Sequence, residues 1–225
     1  QGEDYTGLSY VADSFAQDVE LVSGVKPLVT TKTSDLSKTA IIAGTIGQNK
    51  VIDQLIAANK IDVKLVKGKW EVYTIALVQQ PMDGVDQAIV ICGSDKRGTI
   101  YGIYHISELM GVSPSVYWGD VNPQTQTQIV FSENDLKATS KEPSVKYRGI
   151  FLNDEAPSLT GWVQAKFGTY NEKFYEKVYE LILRLKGNYL WPAMWSNNFS
   201  EDGTDAEGIA NAKLADEYGI VMGTS

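Results

Sequence analysis

Two polar clusters each follow an apolar run in the C-terminal part of this sequence. Asn153, Asp154 and Glu155 come after GIFL (149–152), and Trp195, Asn197 and Asn198 come after YLWPAM (189–194). Carboxylates of this kind can serve as general acid or base. We take Asp154 and Glu155 as the candidate catalytic carboxylates. Neighbours on an extended strand point to opposite faces, so the two are not expected to act on one atom together. One of them needs a partner from another strand; the bland alternative is a pair of loop carboxylates capping the next turn. An indole face flanked by amides suits stacking on a sugar ring, which makes Asn153, Trp195, Asn197 and Asn198 the candidate substrate-binding residues. The competing role for Trp195 is to fill the top of a core, and for Asn153 an Asx turn. Arg148 can grip a carboxylate with its planar fork or serve a structural ion pair. Glu201, Asp202 and Asp205 are either solvated charge or a substrate or metal contact.

The elements that must position these residues repeat. KYRGIFLNDE (146–155) ends a strand at 147–153. A helical stripe of Phe174, Val178, Leu181, Ile182 and Leu185 follows, with Asn171 to cap its start and Gly187 its end. A second strand covers 188–195, a short helix 212–218 and a third strand 220–224. GIFLN is a continuous apolar run, as for a strand buried on both faces. Repeated βα units of this length imply parallel strands with right-handed crossovers. Residues 145–225 therefore resemble the start of an incomplete (β/α)8 barrel, whose active site lies at the C-terminal ends of its strands.

Residues 8–140 form a different pattern, that of a mixed α/β accessory domain. Leu8, Val11, Phe15, Val19 and Val22 have helical spacing, and Gly24 can end that helix. TAIIAGTI (39–46) is a strand, and Gly47 opens a helix carrying Val51, Ile52, Leu55 and Ile56. WEVYTIALV (70–78) and QAIVICGS (87–94) flank PMDG (81–84), which predicts a hairpin. Asp95 is placed to cap a third helix that stops at Gly111. GTIYG is not a nucleotide-binding glycine pattern; its glycines fit close helix–sheet packing. TQIVFS (127–132) is read as a last strand, and the polar stretch 133–145 as a linker. Tyr117 and Trp118 are read as residues of an interface with the barrel.

Composition narrows the partners. A net charge of −8 argues against nucleic acid, whose binders present basic patches. No run approaches the roughly 20 apolar residues of a membrane span. Cys92 is the one cysteine and follows AIVI, as a buried strand residue; His105 is the one histidine and sits in a helical run. Neither has companions for a metal centre, and no metal or cofactor is assigned.

Three stretches together are similar to glycoside hydrolase family 115, the xylan α-1,2-glucuronidases. They are GSDKRGTIYGIYHISELMGVSP with VYWGDV (93–121), KYRGIFLNDE (146–155), and LRLKGNYLWPAMWSNNF (183–199) with LADEYGIVMGTS (214–225). The resemblance implies an N-terminal α/β domain, a catalytic (β/α)8 barrel and further domains, with catalytic partners beyond Ser225. It implies inverting removal of glucuronic or 4-O-methylglucuronic acid from glucuronoxylan without a cofactor, in a secreted or periplasmic setting. The partners implied are a polysaccharide or oligosaccharide and the remaining domains of the same polypeptide. The chain by itself is expected to be inactive. Two rivals stay open: a carbohydrate-binding or scaffolding module, and a hexosaminidase-like hydrolase sharing the accessory domain.

Overall fold

The computed structural model describes residues 4–223. Two compact units divide the chain, Gln1–Ser144 and Val145–Ser225.

In the first unit, helix α1 (Gly7–Ser23) buries Leu8, Val11, Phe15 and Val22 along one stripe. Gly24 ends it at a φ of 76°, donating its N–H to the Glu20 carbonyl. Strand β1 (Thr39–Thr45) leads into α2 (Lys50–Ala57), which is capped by Asn49. The Asn49 side chain accepts from the N–H groups of Val51 and Ile52. Strands β2 (Tyr73–Met82) and β3 (Val85–Gly93) form the predicted hairpin, and α3 (Lys96–Leu109) follows. The sheet order is β1-β3-β2, with β1 parallel and β2 antiparallel to β3. The ladder slips between Gln79 and Met82, where Pro81 cannot donate and Gln80 takes a φ of 46°.

One sheet face packs Val78, Val85, Ala88, Val90 and Cys92 against Ile52 and Leu55 of α2 and against Val63 and Val66. On the other face α3 approaches closely. A Cβ on Gly98 would lie 2.4 Å from the Val72 carbonyl oxygen, and one on Gly102 would lie 2.5 Å from Ile91 Cγ2. These glycines serve packing, as their spacing implied.

The strand expected over 127–132 is absent, and Val130 is exposed. Its β-forming residues find no partner strand. The outer edge of β2 is covered by part of the segment read as a linker. Ile75 N–H donates to the Ala138 carbonyl at 2.8 Å, and Ser140 N–H to the Tyr73 carbonyl at 3.0 Å. Thr74 pairs with Thr139 through their hydroxyls at 2.8 Å. Polar residues thus blunt an edge that would otherwise offer open N–H and C=O groups.

The second unit holds β4 (Gly149–Phe151), α4 (Ser158–Phe167), α5 (Glu172–Arg184), β5 (Tyr189–Trp191), α6 (Ala210–Tyr218) and β6 (Val221–Met222). Its strands are parallel in the order β4-β5-β6. All are shorter than expected, α4 lies between the first strand and the expected helix, and Thr224 lies outside the described residues. Gly149 is forced by the strand pairing, because a Cβ there would sit 1.7 Å from the Tyr189 carbonyl oxygen. Asn171 caps α5 through the N–H groups of Lys173 and Phe174. Phe174, Val178 and Ile182 are buried as the stripe predicted, whereas Leu185 is exposed. The helix ends one residue before Leu185, and Lys186 takes the left-handed conformation at a φ of 58°.

Strand β4 also differs from the expected doubly buried strand. Gly149, Ile150 and Phe151 are all exposed, and Phe151 is 50% so. Among the described residues β4 pairs with β5 alone. Its aromatic face, with Phe151 edge-on to Trp191 at 5.5 Å and Tyr147 near Tyr189 at 6.3 Å, is open.

Candidate functional site

The β4–β5 pair is clamped at both ends by one buried side chain. At the N-terminal end the clamp is Asn188, which is wholly buried. Its amide Oδ1 accepts from Arg148 N–H at 2.9 Å, and its Nδ2 donates to the Lys146 carbonyl at 2.7 Å. Arg148 lies at this same end. Its guanidinium donates to the carbonyls of Lys186, Val145 and Lys146. It therefore ties backbone at the end of the strands opposite Asp154, a structural role.

At the C-terminal end the clamp is Asp154. Its side chain leaves β4, crosses to the segment after β5, and collects donors there. Met194 N–H donates to Oδ1 at 3.1 Å, Trp195 N–H to Oδ2 at 3.0 Å and Asn197 Nδ2 to Oδ2 at 2.6 Å. The residue is 3% exposed. Burial pushes the carboxyl pKa up, but hydrogen bonds from Met194, Asn197 and Trp195 outweigh it and hold the group below the usual carboxylate range. Asp154 is thus an ionised acceptor whose lone pairs are taken up inside the protein. Its oxygens face these donors rather than solvent.

The residues on either side of it face outward. Asn153 and Glu155 are exposed, and Trp195 is 69% exposed. The Trp195 indole N–H donates to Asn153 Oδ1 at 3.3 Å, and Asn153 Nδ2 to Glu155 Oε2 at 3.4 Å. Asn153, Asp154, Glu155, Trp195 and Asn197 therefore meet at one end of the sheet, with one carboxylate inside and one outside. Asn198 does not join them. Its N–H donates to Asp202 at 2.7 Å and its Oδ1 accepts from Ser200 at 2.9 Å, which folds it into the following loop. Asp205 is also spent locally, accepting from Ala210 N–H and Lys213 Nζ.

Sequence spacing gave no sign of Thr160 and Tyr170. Thr160 Oγ1 donates to the Asp154 carbonyl at 2.5 Å and meets the Tyr170 hydroxyl at 3.1 Å. They come from α4 and the turn after it, and only the tertiary fold brings them under Asp154.

The other residues singled out from the sequence have structural partners in the first unit. His105 Nδ1 meets the Tyr73 hydroxyl at 3.0 Å. Cys92 is fully buried, and its thiol pKa is pushed up to about 12 by burial and then by Asp53 and Asp4. Asp95 caps α3 at Gly98 N–H and also accepts from Glu71 N–H. Arg97 pairs with buried Glu71 at 2.5 Å and lies over the Trp70 ring at 4.7 Å. Tyr117 and Trp118 meet edge to face at 5.2 Å, with Tyr117 38% exposed. Among the described residues no three His, Cys, Asp or Glu side chains converge to hold a metal ion, and no helix is long and apolar enough to cross a membrane.

The sequence profile of glycosyl hydrolase family 115 matches residues 140–225, which include this whole strand-end cluster. Among solved structures, a family GH115 4-O-methyl-alpha-glucuronidase, BtGH115A, with specificity for decorated arabinogalactans, aligns with 100% of this chain at 33% identity and a TM-score of 0.79. The chain spans 28% of that protein's length. The structure of CpGH84D aligns with 99% of the chain and 32% of its own, at 10% identity and a TM-score of 0.47, too low to carry an argument. Comparison with curated protein sequences gives no match. Both the matched segment and the overall structural likeness assign this chain to glycosyl hydrolase family 115.

Proposed function

We propose that this chain is the N-terminal part of a longer glycoside hydrolase that removes glucuronic or 4-O-methylglucuronic acid side chains from a polysaccharide. Family membership supports the reaction class. The observation that carries the site is the grouping of Asn153, Glu155 and Trp195 around buried Asp154 at the C-terminal ends of parallel strands. In this reading residues 145–225 begin a (β/α)8 barrel, whose substrate side is that end. The Trp195 indole offers a flat face to a sugar ring, held in orientation by Asn153. Inverting hydrolysis uses an acid and a base roughly 6.5–9.5 Å apart, with a water between them. Glu155 is the carboxylate of the pair Asp154/Glu155 that is free to take one of these roles. Its partner comes from elsewhere in the full-length protein. Asp154 holds the frame on which Trp195 and Asn197 stand.

Glucuronoxylan is the substrate expected from the sequence resemblance. BtGH115A is specific for decorated arabinogalactans. Both readings share a terminal uronic acid as the group released, so the uronate is the recognised chemistry and the backbone polymer is the variable. A polymeric substrate also favours secretion or a periplasmic place of work. The test measures uronic acid release by the full-length protein from glucuronoxylan and from glucuronate-decorated arabinogalactan. Release from either supports the reading, and the ratio assigns the backbone. No release from both, with a folded protein, removes it. Residues 1–225 alone are expected to release none.

A further inference from the structure

We infer that Tyr175 and Asn211 are positioning residues that pin the two ends of the segment carrying Trp195 and Asn197. The inference rests on the reading of that segment as substrate side. It starts from α5, which presents Tyr175 and Tyr179 one turn apart, both fully buried and stacked at 5.9 Å with 19° between their planes. The Tyr175 hydroxyl accepts from Ala193 N–H at 3.3 Å, at the point where the chain leaves β5. The Tyr179 hydroxyl donates to the Asn211 backbone carbonyl at 3.2 Å and so fixes the start of α6. The Asn211 Nδ2 then donates to the carbonyls of Phe199 and Tyr170, each at 3.1 Å.

The orientation of the Asn211 amide has a clear cause. Its two neighbours are carbonyl oxygens, so the NH2 group must face them. Oδ1 is left buried with no hydrogen-bond partner among the described residues. The side chain is therefore held there for its two donors. Phe199 is fixed a second time by its ring, which packs edge-on to Tyr175 at 4.9 Å. Between these pins Asp154 takes the N–H groups of Met194 and Trp195 and the side chain of Asn197. From Ala193 to Phe199 the segment is held at its start, its middle and its end by three different elements. One helix, α5, reaches both outer pins, directly through Tyr175 and by way of Asn211 through Tyr179.

A binding surface held this way keeps its geometry before substrate arrives. Loss of a pin is expected to loosen the segment and weaken sugar binding more than it slows the chemistry, because a loosened surface must be ordered again when sugar binds while Glu155 lies on a different segment. The test uses Tyr175→Phe and Asn211→Leu in the full-length protein. It reads amide hydrogen exchange over 193–199, with β3 as internal control, together with kcat and KM for uronic acid release. Exchange over 193–199 should rise about tenfold or more while β3 is unchanged. KM should rise about tenfold with kcat within about threefold of wild type. Wild-type exchange over 193–199 in folded variants would overturn the inference. Faster exchange with wild-type KM would leave the pins in place and remove the segment from the substrate site. If Asn211→Leu does not fold, Tyr175→Phe decides, since it removes one hydroxyl from an otherwise intact ring.

Discussion

The two ends of the β4–β5 pair are closed by the same device with opposite chemistry. Asn188 at the N-terminal end is a neutral amide that gives and takes one hydrogen bond to the neighbouring strand. Asp154 at the C-terminal end is an ionised carboxylate that only accepts. Around Asn188 the polar groups are spent on backbone, including Arg148, whose guanidinium donates to three carbonyls. Around Asp154 the flanking residues Asn153 and Glu155 are exposed, as is Trp195. One end holds the strands together. The other holds them together and also presents an aromatic face, an amide and a carboxylate to solvent. We propose that this asymmetry is the division of labour a barrel makes between its stability end and its reactive end.

Breaking the neutral clamp should have the largest effect on stability. Asn188→Ala removes a fully buried side chain, strips the Arg148 N–H of its partner and leaves the Lys146 carbonyl with the Arg148 guanidinium alone, and about 2–4 kcal/mol of stability should be lost. Denaturant unfolding of the full-length protein measures it, and the loss should be the same at pH 4 and pH 8. Asp154→Asn is next, at about 1–3 kcal/mol at pH 7, because an amide cannot accept from all three donors. This loss depends on pH. The folded pKa of Asp154 is depressed, so its stabilisation is fully present above the unfolded value of about 3.9 and fades as pH falls through the lower folded value. The gap between wild type and Asp154→Asn should therefore close in melting experiments as pH falls below about 4. A gap that is constant down to pH 2 would show that Asp154 is not held as the carboxylate. Trp195→Ala is expected to change stability least, within about 0.5 kcal/mol, since the ring is mostly exposed. The same variant should weaken binding of a glucuronic-acid-bearing oligosaccharide, as read by calorimetry.

Local signals in the sequence carried the hairpin, the Asn171 and Asp95 caps and the parallel strands of the second unit. Each depends on residues close in the chain: PMDG between β-rich runs, an Asn or Asp before an apolar stripe, apolar runs separated by helices. Adjacent Asp154 and Glu155 also announced that they would face opposite ways, but not which would be inside. That choice is made by donors about forty residues later, at Met194, Trp195 and Asn197. Asn188 gave no warning either, because an amide before a strand is indistinguishable from a turn residue until its partner strand is known. The segment 127–132 misled because β-propensity without a neighbouring strand makes no sheet. Conversely, Ala138–Ser140 are polar or small and took a sheet edge through backbone bonds, to which the hydroxyls of Thr139 and Ser140 add. Tyr175 and Tyr179 were hidden in a helical stripe whose aliphatic members explained the helix without them.

We propose that the Asp154 end faces substrate and that Glu155, not Asp154, is the carboxylate available for chemistry there. Uronic acid release by the full-length protein, compared for wild type and Glu155→Gln under conditions where both melt at the same temperature, tests it most directly. The expected result is a fall in kcat of about 100-fold or more with an unchanged melting temperature. Wild-type kcat in Glu155→Gln would contradict it and remove Glu155 from the reaction.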